Sequence, residues 1–144
     1  MKNVFWKRER IEIMTALALF NYVFLGAEYL FDNMMAFQTD SGGVVLAQSY
    51  VLGSSTVGFL LFGVLDGKLR ERAKKAGSAG AGVLAVVCLW VIQVHQSYGS
   101  TLAAGLILYV LLGIAGSLVH YRAACRYGME EHLAETVGVS YAIG

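Results

Sequence analysis

The sequence predicts an all-α, polytopic integral membrane protein with four transmembrane helices and the start of a fifth. Three observations carry that expectation. Of the 144 residues, 57% are apolar and 15% charged, against roughly a half and a quarter in soluble domains. The apolar residues gather into runs long enough to cross a hydrocarbon layer of roughly 30 Å as helices. The eleven Lys and Arg residues fall in three clusters, separated by pairs of these runs.

The opening residues, MKNVFWKRER, form a basic amino terminus over 1–10. The apolar run that follows is too long for a signal peptide and has no clear small-x-small cleavage site, so it is expected to stay as a membrane helix. Residues 11–144 then form a single transmembrane helical domain. Its helices are expected at about 11–31, 44–65, 79–94 and 101–121, with a fifth starting over 136–144. Nine residues rise only about 13 Å, so that last run cannot cross. The polar segment 129–135 is expected to lie at the membrane surface before it. Strands are not expected, because the runs lack the two-residue alternation of a membrane barrel. Seventeen glycines and no proline suit helices that pack closely.

Lys2, Lys7, Arg8 and Arg10 precede the first helix, Lys68, Arg70, Arg72, Lys74 and Lys75 lie between the second and third, and Arg122 and Arg126 follow the fourth. With four crossings, all of these lie on one side of the membrane. Cytoplasmic loops gather Lys and Arg, so the amino terminus is expected in the cytoplasm of a cell whose inner membrane holds the protein. Trp6, Trp90 and Tyr98 fall where interfacial aromatic residues are expected. Cys88 and Cys125 make no disulfide framework, and the separate positions of His95, His120 and His132 suggest no metal site.

The stretch GVLDGKLRERAKK, 63–75, joins the second and third runs. Its Gly63, Asp66, Gly67, Lys68 and Arg70 resemble the loop between helices 2 and 3 of the major facilitator superfamily (MFS), where a glycine precedes an aspartate followed by basic residues around a further glycine. Here Gly63 stands three residues before Asp66 rather than four, and Leu69 holds the place of the further glycine. The resemblance implies the amino-terminal portion of a secondary active transporter for a small solute, built of inverted three-helix repeats. It implies a gating loop at 63–70, with Asp66 latching two halves of the full transporter. Because transport needs one half to rock against the other, the chain is expected to be incomplete and inactive alone.

Polar residues at membrane depth are the candidate site. Asn21, Glu28 and Asp32 stand seven and four apart, on one helical face. Charges at such depth are costly and usually face a cavity. The expected roles are Asn21 near the midplane, Glu28 a turn or two below the outer surface and Asp32 at the mouth, meeting a cationic or hydroxylated solute or a coupling proton. Hydration of both carboxylates in the outer interface is the other reading. On the second helix Gln48 and Ser55 share a face, with Ser54 and Thr56 adjacent, and Gly53 and Gly58 ease helix contact. On the fourth, Tyr109, Gly113, Gly116 and His120 form one face: a close helix seam, or a cavity wall to which Tyr109 contributes.

No nucleophile–base pair or phosphate-binding loop is apparent, so an enzyme is not expected, and neither is a cofactor or a nucleic-acid partner. The expected partners are the lipid bilayer, a small-molecule substrate and a proton or cation as coupling ion. Two other functions remain open. One is a small four-helix exporter that dimerises around Glu28. The other is a non-transporting membrane assembly subunit whose basic loop docks a partner or anionic lipid.

Overall fold

A computed structural model describes residues 8–68, 71–94, 96–126 and 133–143. Five helices follow one another: α1 (Arg8–Ala36), α2 (Ser41–Lys68), α3 (Glu71–Val94), α4 (Tyr98–Arg126) and α5 (Leu133–Ile143). Among the described residues there is no strand. Among the described residues four segments are long and apolar enough to cross a membrane: Ile11–Ala36, Ser41–Leu65, Gly77–Val94 and Tyr98–Cys125. Side chains such as Leu19, Leu60, Val83 and Trp90 stand exposed along them, as a lipid-facing surface requires.

The helices run further than their apolar cores. The connection expected over 32–43 shrinks to 37–40, because Asp32, Asn33 and the residues to Ala36 continue α1. Asp32 is therefore one turn inside the helix, not at a loop mouth. The turn is closed by Gln38 N and Thr39 N, both donating to Met35 O at 2.8 and 3.1 Å. Asp40 caps α2: its Oδ1 accepts from Gly43 N at 2.8 Å, the third amide of a helix start that otherwise lacks a partner. Ser97 caps α4 in the same way, with Oγ accepting from Ser100 N at 3.3 Å.

The basic connection also differs from expectation. Gly63, Asp66, Gly67 and Lys68 are in the last turns of α2, and Arg72, Lys74 and Lys75 are in the first turns of α3. The expected gating loop is thus helical over 63–68. Arg70 lies outside the described residues, as do Lys2, Trp6, Lys7, His95, His132 and Gly144. The fifth run begins at Leu133 rather than 136 and spans 11 residues, about 16 Å and still too short to cross. The surface segment expected over 129–135 lies outside the described residues up to position 132 and belongs to α5 from there on.

The chain divides into two compact units. One takes α1 as far as Leu25 and everything from Ala115 on. Its core is Ile13, Leu17 and Ala123, with Val119 and Val137 packed against them. Ile13, Leu17 and Asn21 recur every four residues, which keeps them on one face of α1. The other unit, Gly26–Ile114, contains the rest of α1, all of α2 and α3, and the first part of α4. Its buried side chains include Phe31 and Met35 of α1, Ala47 and Val51 of α2, Ile92 of α3, and Leu108 and Tyr109 of α4.

Candidate functional site

In the larger unit α4 supplies the surface that the other helices use. Gly105 has no side chain where Phe31 and Val51 press in: a Cβ there would stand 2.5 Å from Phe31 Cε2 and 3.0 Å from Val51 Cγ1. One turn on, Tyr109 is fully buried, with the Phe31 ring set edge-on at 6.4 Å and 67°. Further along, Gly58 of α2 and Gly113 of α4 sit at a crossing with no room for a side chain on either. Between these two points Ser54 Oγ donates to Val51 O in its own helix at 2.7 Å and to Leu106 O of α4 at 3.1 Å. Ser55 is buried and bonds Leu52 O at 2.7 Å. The expected close approach holds at Gly58 and Gly113, and both hydroxyls bond to helix backbone. Gly53 does not take part, since nothing approaches the position of its missing Cβ.

Against this frame stand the two carboxylates of α1. Glu28 and Asp32 are each half-buried and lie one helical turn apart, a spacing that makes them neighbours. The Glu28 charge is close enough to bear on Asp32, and both carboxylates are close enough to bear on Tyr109. Gln48 of α2 reaches across: its Nε2 donates to Glu28 Oε1 at 2.7 Å. Asp32 Oδ1 is shielded from solvent and has no hydrogen-bond partner among the described residues. Thr101, at the start of α4 and fully buried, accepts from Gln38 Nε2 at 3.2 Å.

Three of the four expected cavity-lining residues, Glu28, Asp32 and Tyr109, therefore come together. Asn21 falls in the other unit. It is only 7% exposed, and its Nδ2 has no hydrogen-bond partner among the described residues. In that same unit His120 Nδ1 donates to Gly116 O at 2.8 Å, and its ring meets Phe20 edge-on at 6.2 Å. It is half-buried. Of the expected gate, Gly63 and Gly67 are exposed, with open space around both. Only the helical backbone is described for Asp66 and Lys68.

Gln48 is the member of this group whose partner the sequence did not disclose. Its face on α2 was legible from the spacing to Ser55, but periodicity carries no information on which neighbouring helix that face meets. Among the described residues no group of three His, Cys, Asp or Glu side chains is placed to hold a metal ion. Chemically, the arrangement offers two carboxylates with one amide donor already committed. Between Gly26 and Gly67, Gly77 and Val94, and Gln96 and Ile114, the sequence has no Lys, Arg or His to balance them.

No family profile, curated protein or solved structure matches this chain.

Proposed function

We propose that the chain is a membrane-embedded part of a secondary active transporter for a small solute, of the kind formed by the amino-terminal helices of the major facilitator superfamily. The observation that carries this reading is Asp32. Its Oδ1 is shielded and has no hydrogen-bond partner among the described residues, beside Glu28, within a span long enough to cross the bilayer. A shielded carboxylate within a membrane span is costly unless it meets water or a positive partner, and no basic residue of the surrounding spans offsets it. The pair attracts a proton or a cationic group. Glu28 and Asp32 then bind solute or coupling ion, with Tyr109 forming the wall behind them. Among the described residues, the titratable groups that bear on the pair are the two carboxylates themselves on α1 and Tyr109 on α4; α2 contributes the neutral Gln48.

The likeness of Gly63, Asp66, Gly67, Lys68 and Arg70 to the superfamily's loop supports the same class. The three basic clusters support a cell-membrane protein with a cytoplasmic amino terminus. Binding of radiolabelled tetraphenylphosphonium, a lipophilic cation, to the chain in nanodiscs tests the proposal. Saturable binding that weakens about tenfold in Glu28→Gln and in Asp32→Asn supports it, since a charge-assisted contact is worth about 1.5 kcal/mol or more. Binding unchanged in the double variant refutes it.

A further inference from the structure

We propose that Gln48 is a positioning residue that divides the work of the two carboxylates, holding Glu28 through its amide and leaving Asp32 as the one that exchanges its proton or cation. The inference rests on the reading of Glu28 and Asp32 as an exchanging pair, and it assigns them different parts.

The two acidic side chains are a turn apart on the same helix, yet their surroundings differ. Glu28 Oε1 accepts from Gln48 Nε2 at 2.7 Å, a length typical of hydrogen bonds to charged groups. Gln48 is itself held in place. Its α2 neighbours Ala47 and Val51 are fully buried, and a turn or two further Ser54 ties α2 to α4 through Leu106 O at 3.1 Å. Asp32 has no such tether at Oδ1 among the described residues, although that atom is shielded. A shielded acceptor without a donor is the costlier partner to leave unmet. An arriving proton or cationic N–H group therefore gains most at Asp32, while Glu28 already has one oxygen engaged by Gln48.

The residue type matters. The nitrogen of an amide donates but does not accept, and it bears no charge. Gln48 can orient Glu28 without neutralising it, so the pair keeps its attraction for one positive charge. A lysine or arginine at this position would cancel that attraction, and an aliphatic residue would leave both carboxylates equally free.

Dicyclohexylcarbodiimide is the probe. It is hydrophobic, partitions into the bilayer and adds to a protonated carboxyl, so peptide mass spectrometry of the treated chain reports which residue holds an exchangeable proton. The chain is purified into nanodiscs and labelled over a pH series, unaltered and as Gln48→Leu and Gln48→Met. Asp32 should label faster than Glu28 in the unaltered chain. Removing the donor should raise Glu28 labelling about tenfold, the equivalent of one hydrogen bond to a charged group, and leave Asp32 labelling level or lowered, because a neighbour that holds a proton more often favours the Asp32 anion. Glu28 labelling as fast as Asp32 in the unaltered chain overturns the assignment, as does a rise at both residues together, which would show only loosened packing. The unaltered chain decides the first point even if a variant fails to fold. Absence of labelling at both carboxylates at every pH instead defeats the exchanging pair itself, an outcome distinct from failure of the Gln48 assignment.

Discussion

Gly58 of α2 and Gly113 of α4 meet backbone to backbone. A Cβ on Gly58 would run into Val110 O and stand 3.0 Å from Gly113 Cα; one on Gly113 would run into Ser55 O and stand 3.1 Å from Gly58 Cα. The contact is reciprocal and involves main chain on both sides, so neither helix can yield by turning a side chain. Close approach of this kind lets Cα–H groups face carbonyls of the neighbouring helix. It fixes α2 against α4, and with it the level at which Gln48 meets Glu28.

Gly58→Leu and Gly113→Leu should each destabilise the fold by about 1–3 kcal/mol, the usual cost of overpacking. Gly53→Ala, at a position open to its surroundings, should change stability by less than about 0.5 kcal/mol. Equilibrium unfolding in bicelles compares the three; equal effects at Gly53 and Gly58 would deny the crossing its importance.

Gly105→Ala should displace the Phe31 ring, because the new methyl meets Phe31 Cε2 and Val51 Cγ1. A loss of about 1–2 kcal/mol is expected, and Phe31→Leu in that background should recover part of it. The two substitutions are in contact, so a double-mutant cycle should show coupling of at least about 0.5 kcal/mol. Strict additivity would mean that Phe31 has other room to move.

Asn21 occupies the position of an apolar core residue in the repeat Ile13, Leu17, Asn21, and its Nδ2 lacks a hydrogen-bond partner among the described residues. A buried amide left unmet costs about 1–3 kcal/mol. Asn21→Leu should therefore raise stability by about 1 kcal/mol, read in the same unfolding experiment. A clear loss would show that Asn21 makes a bond that holds the fold.

How far the sequence discloses this structure varies by level. The four spans are legible because lipid leaves the backbone no partner but its own helix. The helix ends are not, because hydropathy reports where apolar residues stop and a helix stops elsewhere. α1 passes through Asp32 and Asn33 to Ala36, and the charged run after Glu71 is the start of α3. Asp40 was a clue to the first turn, one of three capping-type residues, with Thr39 and Ser41, that stand just before the second apolar run. Within the site, the shared face of Glu28 and Asp32 follows from their spacing. Gln48 as a partner depends on the register of α2 against α1, which Gly58, Gly105 and Gly113 set through close contacts that no single-helix pattern contains. Asn21, on the same sequence stripe, falls in a different compact unit.

Topology is directly testable. On a background without Cys88 and Cys125, Arg72→Cys should react with an impermeant maleimide only from the cytoplasmic side, and Gln96→Cys only from outside. Gln96 is chosen because it is exposed and leaves the Ser97 cap of α4 intact. The opposite pattern would invert the orientation drawn from the basic clusters.

The central claim is that Glu28 and Asp32 share a positive charge that a solute or coupling ion supplies. The most direct measurement is proton release when tetraphenylphosphonium is added to the chain in lightly buffered nanodiscs at mildly acidic pH, followed with a pH-sensitive dye. Release approaching about one proton per chain is expected, because the cation and the proton compete for the same two carboxylates. Release should vanish in Glu28→Gln/Asp32→Asn. Binding of the cation without proton release, or release undiminished in the double variant, would contradict it.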